Sequence, residues 1–414
     1  MRVFKFGGAS VRHAAAIRKV AGIIKAYQQE KILVVVSAMG KTTNDLERVV
    51  TNFQAGKDFQ KELQLVRAYH EDTLQQLFPP EHNAWKKVLD ELESIGKKLD
   101  SDMSADQQYD QVVSLGEVMS SIIVSEFLLS EGLPMRWIDA RKYIVTGDTF
   151  REAEVDWSAS KQNMISLKSI LREKIILTQG FIGGTPNGFT TTLGREGSDY
   201  SAAIFASCLD AASVTIWKDV PGVMNADPKR IPEAVVFEEL PFREAAEMTY
   251  YGASVIHPKT IKPLANKNIP LYVKNFDDPS LPGTLIHETK VDSLPPLIIF
   301  KDNQCLVSCR VTDYTFINEQ QLSFIFQALS ALDIKVNVMQ NSAISFSFCI
   351  DFREDKVLKL IEKLANHFEV YYNTGLTLIT VKNYDAATAE HYRNTPGVIL
   401  EQLSRSTLQV LVRN

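Results

Sequence analysis

Cysteine is scarce in this chain: four in 414 residues (Cys208, Cys305, Cys309 and Cys349), with no close CxxC pair. That usage fits neither a disulfide framework nor a zinc site and points to a reducing compartment, the cytoplasm. A surplus of one charge is also missing, since 45 Lys and Arg stand against 50 Asp and Glu for a net charge of −5. The balance excludes a general nucleic-acid surface. The most apolar stretches, Ile32 to Val36 and Pro295 to Phe300, fall short of the ~20 residues that cross a bilayer. No membrane contact is expected. The opening MRVFKFGGASVRH lacks the apolar run and cleavage site of a signal peptide. Neither GxGxxG nor HExxH occurs, the seven histidines are scattered, and no metal site is expected. Gly40-Lys41-Thr42 fails as a P-loop because Val35 stands where GxxxxGK[ST] needs a glycine.

What remains is ordinary globular protein, 45% hydrophobic and 23% charged, long enough for two or three domains at ~150 residues each. Val3 to Phe6 and Ile32 to Val36 are short β-rich runs flanking a helical stretch, Val11 to Gln29. Strand, helix, strand implies a parallel sheet. Asn52 to Leu99 reads as a helical lobe broken at Pro79-Pro80. Helix Leu115 to Ser130 and strands Ile175 to Thr178, Val214 to Trp217 and Tyr272-Val273 continue the alternation. The fold class is α/β, with residues 1–294 as one three-layer domain.

Ser293-Leu294-Pro295-Pro296 reads as a linker, because paired prolines favour extended chain. Beyond it, strand Leu306 to Val311, helix Glu319 to Leu332, strands Val336 to Gln340 and Ile344 to Asp351, helix Arg353 to Asn366 and strand Phe368 to Tyr372 give βαββαβ. That order is ferredoxin-like. A second copy runs from Leu376 through strands Val398 to Leu403 and Thr407 to Val412, without its second helix and last strand. We place these units at 297–372 and 373–414, and expect an open edge exposing Ile379, Val381, Leu408 and Val410 until another subunit covers it.

Glycine clusters carry the candidate chemistry. Lys5-Phe6-Gly7-Gly8-Ala9-Ser10 follows a strand and opens a helix, so bare backbone N–H groups, a helix N-terminus and a lysine can meet one anion. Gly180 to Thr185 follows another strand, and Gly194-Arg195-Glu196-Gly197-Ser198-Asp199 precedes a helix. Ser198 or Asp199 can cap that helix; an arginine fork and an acid in the same loop exceed what a cap requires. Ser37, Thr43-Asn44 and Glu117 fall in turn or first-turn positions near strand C-termini, the edge where open α/β sheets bind ligands.

These blocks together resemble the aspartate kinase family of the amino-acid kinase fold. The matching segments are KFGGAS (from Lys5), VVSAMGKTTN (from Val35), GEVMS (from Gly116), TQGFIGGTPNGFTTTLGREGSDYSA (from Thr178), WKDVPGVMNADPK (from Trp217) and EAAEMTYYGASVIHP (from Glu244). The C-terminal part resembles the tandem ACT domains of that family, the second truncated.

The resemblance implies transfer of the ATP γ-phosphoryl group, with Mg²⁺, to the side-chain carboxylate of L-aspartate, the first step towards lysine, threonine and methionine. It implies catalytic roles for Lys5 and Asp199, and acceptor contacts from Ser37, Thr43, Phe181 and Ser198. Arg195 would take the α-carboxylate and Glu117 the ammonium group. Lys5, Gly7, Gly8, Lys218, Asp219, Met224, Lys229 and Ser254 would hold the nucleotide, although Lys218, Met224, Lys229 and Ser254 depart from residues frequent in the family. It further implies assembly into a homodimer or larger homo-oligomer through the ACT domains, and a lysine or threonine effector near Asn337, Gln340 and Asn341. The glycine usual after the first ACT strand is not evident between Asp313 and Asn318. Some family members carry a fused homoserine dehydrogenase; at 414 residues a monofunctional chain is expected. The alternatives are another enzyme of the fold, a glutamate or uridylate kinase, and a non-catalytic amino-acid sensor.

Overall fold

The computed structural model describes residues 1–99, 102–253, 256–291, 293–312 and 315–413. The chain divides into two units. The first comprises Met1–Val223, Val236–Thr249 and Ser254–Val291; the second comprises Met224–Val235, Tyr250–Ala253 and Asp292–Asn414.

In the first unit the strands are β1 (Arg2–Phe6), β2 (Ile32–Val36), β3 (Met135–Trp137), β4 (Ile175–Gln179), β5 (Ile182–Gly184), β6 (Thr190–Thr192), β7 (Ser213–Lys218), β8 (Glu239–Pro241), β9 (Leu271–Asn275) and β10 (Thr284–His287). The helices are α1 (Ala14–Ala26), α2 (Thr42–Gln54), α3 (Gln60–Leu77), α4 (Asn83–Leu99), α5 (Ala105–Val113), α6 (Leu115–Ser130), α7 (Trp157–Met164), α8 (Leu167–Ile170), α9 (Gly197–Leu209), α10 (Phe242–Tyr251) and α11 (Pro258–Ala265). The main sheet runs β3-β4-β2-β1-β7-β9-β10-β8. From β3 to β9 every pairing is parallel. Every residue of β2 is buried, as expected of a parallel strand covered on both faces, where a continuous apolar run satisfies both sides.

From β1 the chain builds outward to β2 and β4 on one side, then returns to place β7 and β9 on the other. This reversal leaves a crevice at the strand C-termini, the usual ligand position in such sheets. Helices α1 to α6 cover one side through Ile17, Ile24, Leu46, Val88, Ile95, Met119 and Ile123, all fully buried or nearly so. Burying each such side chain contributes ~1.5–3 kcal/mol. One helical run, Ala105–Ser130, which includes the expected helix Leu115 to Ser130, is long and apolar enough to cross a membrane, although the sequence reading places the most apolar stretches elsewhere. Its apolar window is 89% buried in this core, which accounts for its composition.

The glycine pair does not open α1 directly. Gly8–Val11 makes a single 3-10 turn, and His13 caps α1 by accepting from Ala16 N–H. A four-residue turn aligns few peptide dipoles, so the anion-binding contribution of a long helix is absent at this point.

The second unit contains β11 (Leu297–Arg310), α12 (Glu319–Ala331), β12 (Val336–Asn341), β13 (Ser345–Asp351), α13 (Glu354–Ala365), β14 (Glu369–Lys382), α14 (Ala386–Arg393), β15 (Val398–Leu403) and β16 (Thr407–Arg413). They form one antiparallel sheet ordered β12-β13-β11-β14-β16-β15. Strands expected to be separate are continuous: β11 and β14 each run through both ferredoxin-like repeats, with register shifts in their pairing between Lys301 and Leu306.

The strand missing from the second repeat lies upstream. Leu297 to Lys301 pairs with Lys382 back to Leu378, filling the fourth strand position beside β14, β16 and β15. The repeat lacks a second helix among the described residues. The expected exposure of Ile379, Val381, Leu408 and Val410 is corrected by the same geometry: all four are buried, packed with Tyr392 and Ala389 of α14 and with Ile298 and Phe300 of the borrowed strand. Linear reading could not find this partner, because it precedes the first repeat. A further cluster, Leu306, Val338, Cys349, Leu376, Leu378, Leu400 and Leu411, joins the two repeats.

Candidate active site

Lys5 breaks the apolar pattern of β1, and its burial demands a partner. Its Nζ stands 2.6 Å from Oδ1 of Asp199, in the first turn of α9, with Lys5 8% exposed at its side chain and Asp199 not at all. Lys218, ending the adjacent strand β7, lies 3.6 Å from Oδ2 of the same carboxylate. Burial pushes the Asp199 carboxyl up, but the two ammonium groups outweigh it and hold it below its ordinary value. Asp199 therefore remains an anion that fixes two cations at the strand ends.

The loop after β2 closes tightly over Gly8. A Cβ there would meet Gly40 O at 2.9 Å and Ala38 O at 3.0 Å, so a larger residue would displace Ser37 and Thr43. Glu117, in the first turn of α6, accepts from Ala38 N–H at 3.3 Å through Oε1, while its buried Oε2 has no hydrogen-bond partner. Burial pushes this carboxyl up to about 8, against the lowering effects of Ala38 N–H and Lys5. Gly180 permits an equally close approach, since a Cβ on it would stand 2.6 Å from Ser198 Cβ. Next to it Phe181 adopts φ +68°, and its N–H donates to Ser201 Oγ at 2.9 Å.

These elements enclose a cleft of about 770 Å³. Of the sequence-predicted residues it brings together Lys5, Gly8, Ser37, Thr43, Glu117, Phe181, Arg195, Ser198 and Asp199. Gly7 stands behind Lys5, and Lys218 reaches the group through Asp199. Asp219 does not line the cleft, Met224 and Lys229 belong to the second unit, and Ser254 lies outside the described residues. Sequence reasoning missed Glu47, Tyr109, Arg151 and Glu152. Glu47 follows Thr43 by four residues on α2, so helical spacing could have found it; the others have no local motif. Three cleft residues, Arg151, Phe181 and Glu196, hold φ of +66°, +68° and +55°. For non-glycine residues such conformations cost ~1–3 kcal/mol each and concentrate at functional sites. A larger cavity of about 970 Å³, lined by Trp157, Tyr200, Lys259 and Lys267 among others, contains none of the predicted residues.

The pattern of the amino acid kinase family matches residues 1–275. Lysine-sensitive aspartokinase 3 of Escherichia coli (strain K12) is 33% identical over 399 residues, 94% of this chain and 88% of that protein. The chain belongs to the aspartokinases. A bifunctional aspartokinase/homoserine dehydrogenase 2 of Arabidopsis thaliana is 31% identical over 99% of the chain, which spans 47% of that longer protein. Several other bifunctional aspartokinase relatives are likewise matched over about half their length. The crystal structure of E. coli aspartokinase III with aspartate and ADP superposes with a TM-score of 0.85 at 30% identity, covering 100% of this chain and 96% of that one. Its complex with lysine and aspartate gives 0.84.

In this aspartokinase-family chain the three candidate effector residues do not converge. Asn337 is tied into a polar cluster: Lys301 Nζ donates to its Oδ1 at 2.8 Å, and its Nδ2 donates to Gln304 Oε1 at 2.7 Å and Asp351 Oδ1 at 2.9 Å. Gln340 and Asn341 are exposed on β12, an outermost strand of the sheet.

Proposed function

We propose that this chain phosphorylates the side-chain carboxylate of L-aspartate with ATP, giving 4-phospho-L-aspartate. The observation that carries the reading is one cleft holding the Lys5–Asp199 pair together with Arg195 and Glu117. The acceptor carboxylate is ionised at neutral pH, its pKa being ~3.9, so no general base is needed. The barrier is the approach of one anion to another. Lys5 and backbone N–H groups beside Gly8 supply positive potential where charge accumulates on the transferring group. Arg195 and Glu117 read the α-carboxylate and the ammonium group, which distinguishes an amino-acid acceptor from a nucleotide.

Mg²⁺ would arrive with the ATP phosphates. Among the described residues no group of three His, Cys, Asp or Glu side chains could hold a metal, and Mg²⁺ is commonly bound by substrate phosphates and one or two carboxylates. We assign catalysis to residues 1–294 and the ACT repeats to 297–372 and 373–414, with Leu297–Lys301 serving the second repeat. E. coli aspartokinase III has been crystallised with lysine; lysine is therefore our first effector candidate and threonine the second, with subunit association through the repeats. The setting is the cytoplasm, consistent with four free cysteines.

A coupled assay for ADP release with L-aspartate, L-glutamate and UMP tests the reading. Turnover with L-aspartate alone is expected; preference for either other acceptor, or none, overturns it.

A further inference from the structure

Arg151 stands at φ +66° in the wall of the cleft, a conformation that glycine adopts freely and arginine does not. The surroundings impose it. Its N–H donates at 2.9 Å to Asp110, a carboxylate with no solvent exposure. Its guanidinium carbon lies 4.1 Å from the centroid of the Tyr109 ring, a cation–π contact that holds the side chain in the cleft wall. Its Nε also pairs with Asp106 at 2.7 Å, but with side chains 46% and 62% exposed this pair holds the cation weakly. The guanidinium can exchange that partner for a bound anion.

Position decides which anion. A Cβ on Gly194 would meet Glu152 Cγ at 3.2 Å and Arg151 O at 3.5 Å, so the Arg151 backbone lies against the loop that presents Arg195. Tyr109, which carries the Arg151 guanidinium, lines the same cleft as Glu47, Glu117 and Arg195. Lys5, Asp199 and Lys218 form a separate ion-pair cluster, the one assigned above to the phosphates.

We infer that Arg151 is a specificity-determining residue that supplies a second guanidinium, beside Arg195, for the α-carboxylate of the amino-acid acceptor. The inference rests on the aspartate-kinase reading above and adds a residue to it. Selection for this contact explains why a strained arginine stands where glycine would be relaxed.

The test is Arg151→Gly in the full chain, a change that removes the guanidinium and relaxes the backbone, so the melting temperature should not fall. The Michaelis constant for L-aspartate should rise about tenfold, the effect of losing one charge-assisted hydrogen bond, with that for ATP unchanged. L-aspartate α-amide, which lacks the α-carboxylate charge, serves as the control probe. Its inhibition constant against L-aspartate, readable whether or not it turns over, should change less than twofold. Equal losses for acid and amide, no loss for either, or a raised ATP constant would each overturn the assignment. Wild-type protein inactive on L-aspartate would instead remove the reading beneath it.

Discussion

Asp110 grips Thr192 twice: Oδ1 accepts from the threonine Oγ1 at 2.7 Å, and Oδ2 from its N–H at 2.8 Å. Asp110 lies on α5, which leads into Glu117, and Thr192 ends β6, which leads to Arg195. One buried carboxylate thus fixes the spacing between the two residues proposed to read the amino-acid acceptor.

Asp110→Ala should destabilise the protein by about 3 kcal/mol or more, because two backbone N–H groups and a hydroxyl lose their acceptor. Asp110→Asn keeps one carbonyl for the N–H groups and offers its NH₂ to the threonine hydroxyl, so most of that loss should return. Urea unfolding of the two variants checks this, and equal stability would show that Asp110 is not the anchor.

Lys5→Ala is expected to lower kcat by ~10²-fold to 10³-fold, the scale of one lost electrostatic donor. It should also destabilise the chain, since among the described residues Asp199 stays buried with Lys218, 3.6 Å away, as its remaining ion-pair partner; breaking a buried pair costs ~3–5 kcal/mol. Lys5→Ala combined with Asp199→Asn should recover stability without activity. Recovery of neither would separate the pair from folding.

Glu117 gives the protein a pH signature. Between its ordinary 4.5 and about 8 the folded state keeps a proton that the unfolded state has released. Stability from this group therefore falls as pH rises through that window and levels off above it. Glu117→Gln should gain on wild type steadily from pH 5 to 8, by up to ~4 kcal/mol, in denaturant titrations at each pH. A difference independent of pH would mean the carboxyl is ionised throughout. Binding of an ammonium group should release the proton, measurable by calorimetry in buffers of different ionisation enthalpy.

Arg195 is exposed, and Arg195→Lys keeps its charge while losing the planar two-donor fork. Binding of L-aspartate should weaken with little change in the Michaelis constant for ATP. A rise in the ATP constant would move Arg195 to the nucleotide.

The parallel sheet was legible because apolar runs such as Ile32 to Val36 declare strands covered on both faces, and Pro79-Pro80 marked the break between α3 and α4. Lys5, Glu117, Arg195 and Asp199 were legible because each sits in a motif at an element's end. Tyr109 and Arg151 were not, since their meeting depends on α5 lying against a distant loop and on a backbone conformation that the letter R conceals. Glu117 was visible as a charge, but its raised pKa depends on burial inside α6. The strand Leu297–Lys301 was hidden for another reason: its partner comes after the whole first repeat.

The shared strands also set an order of events during synthesis. Leu297 to Lys301 leaves the ribosome first but cannot pair until Leu378 to Lys382 follows, whereas Leu306 to Asn373 can close the inner repeat meanwhile. Long-range pairing of this kind forms late. The inner repeat is an insertion within the outer one, so a single cut between them frees neither. Because Lys301 pairs directly with Leu378, the insertion could be excised and its ends joined by a hairpin turn, leaving the outer repeat with all four strands.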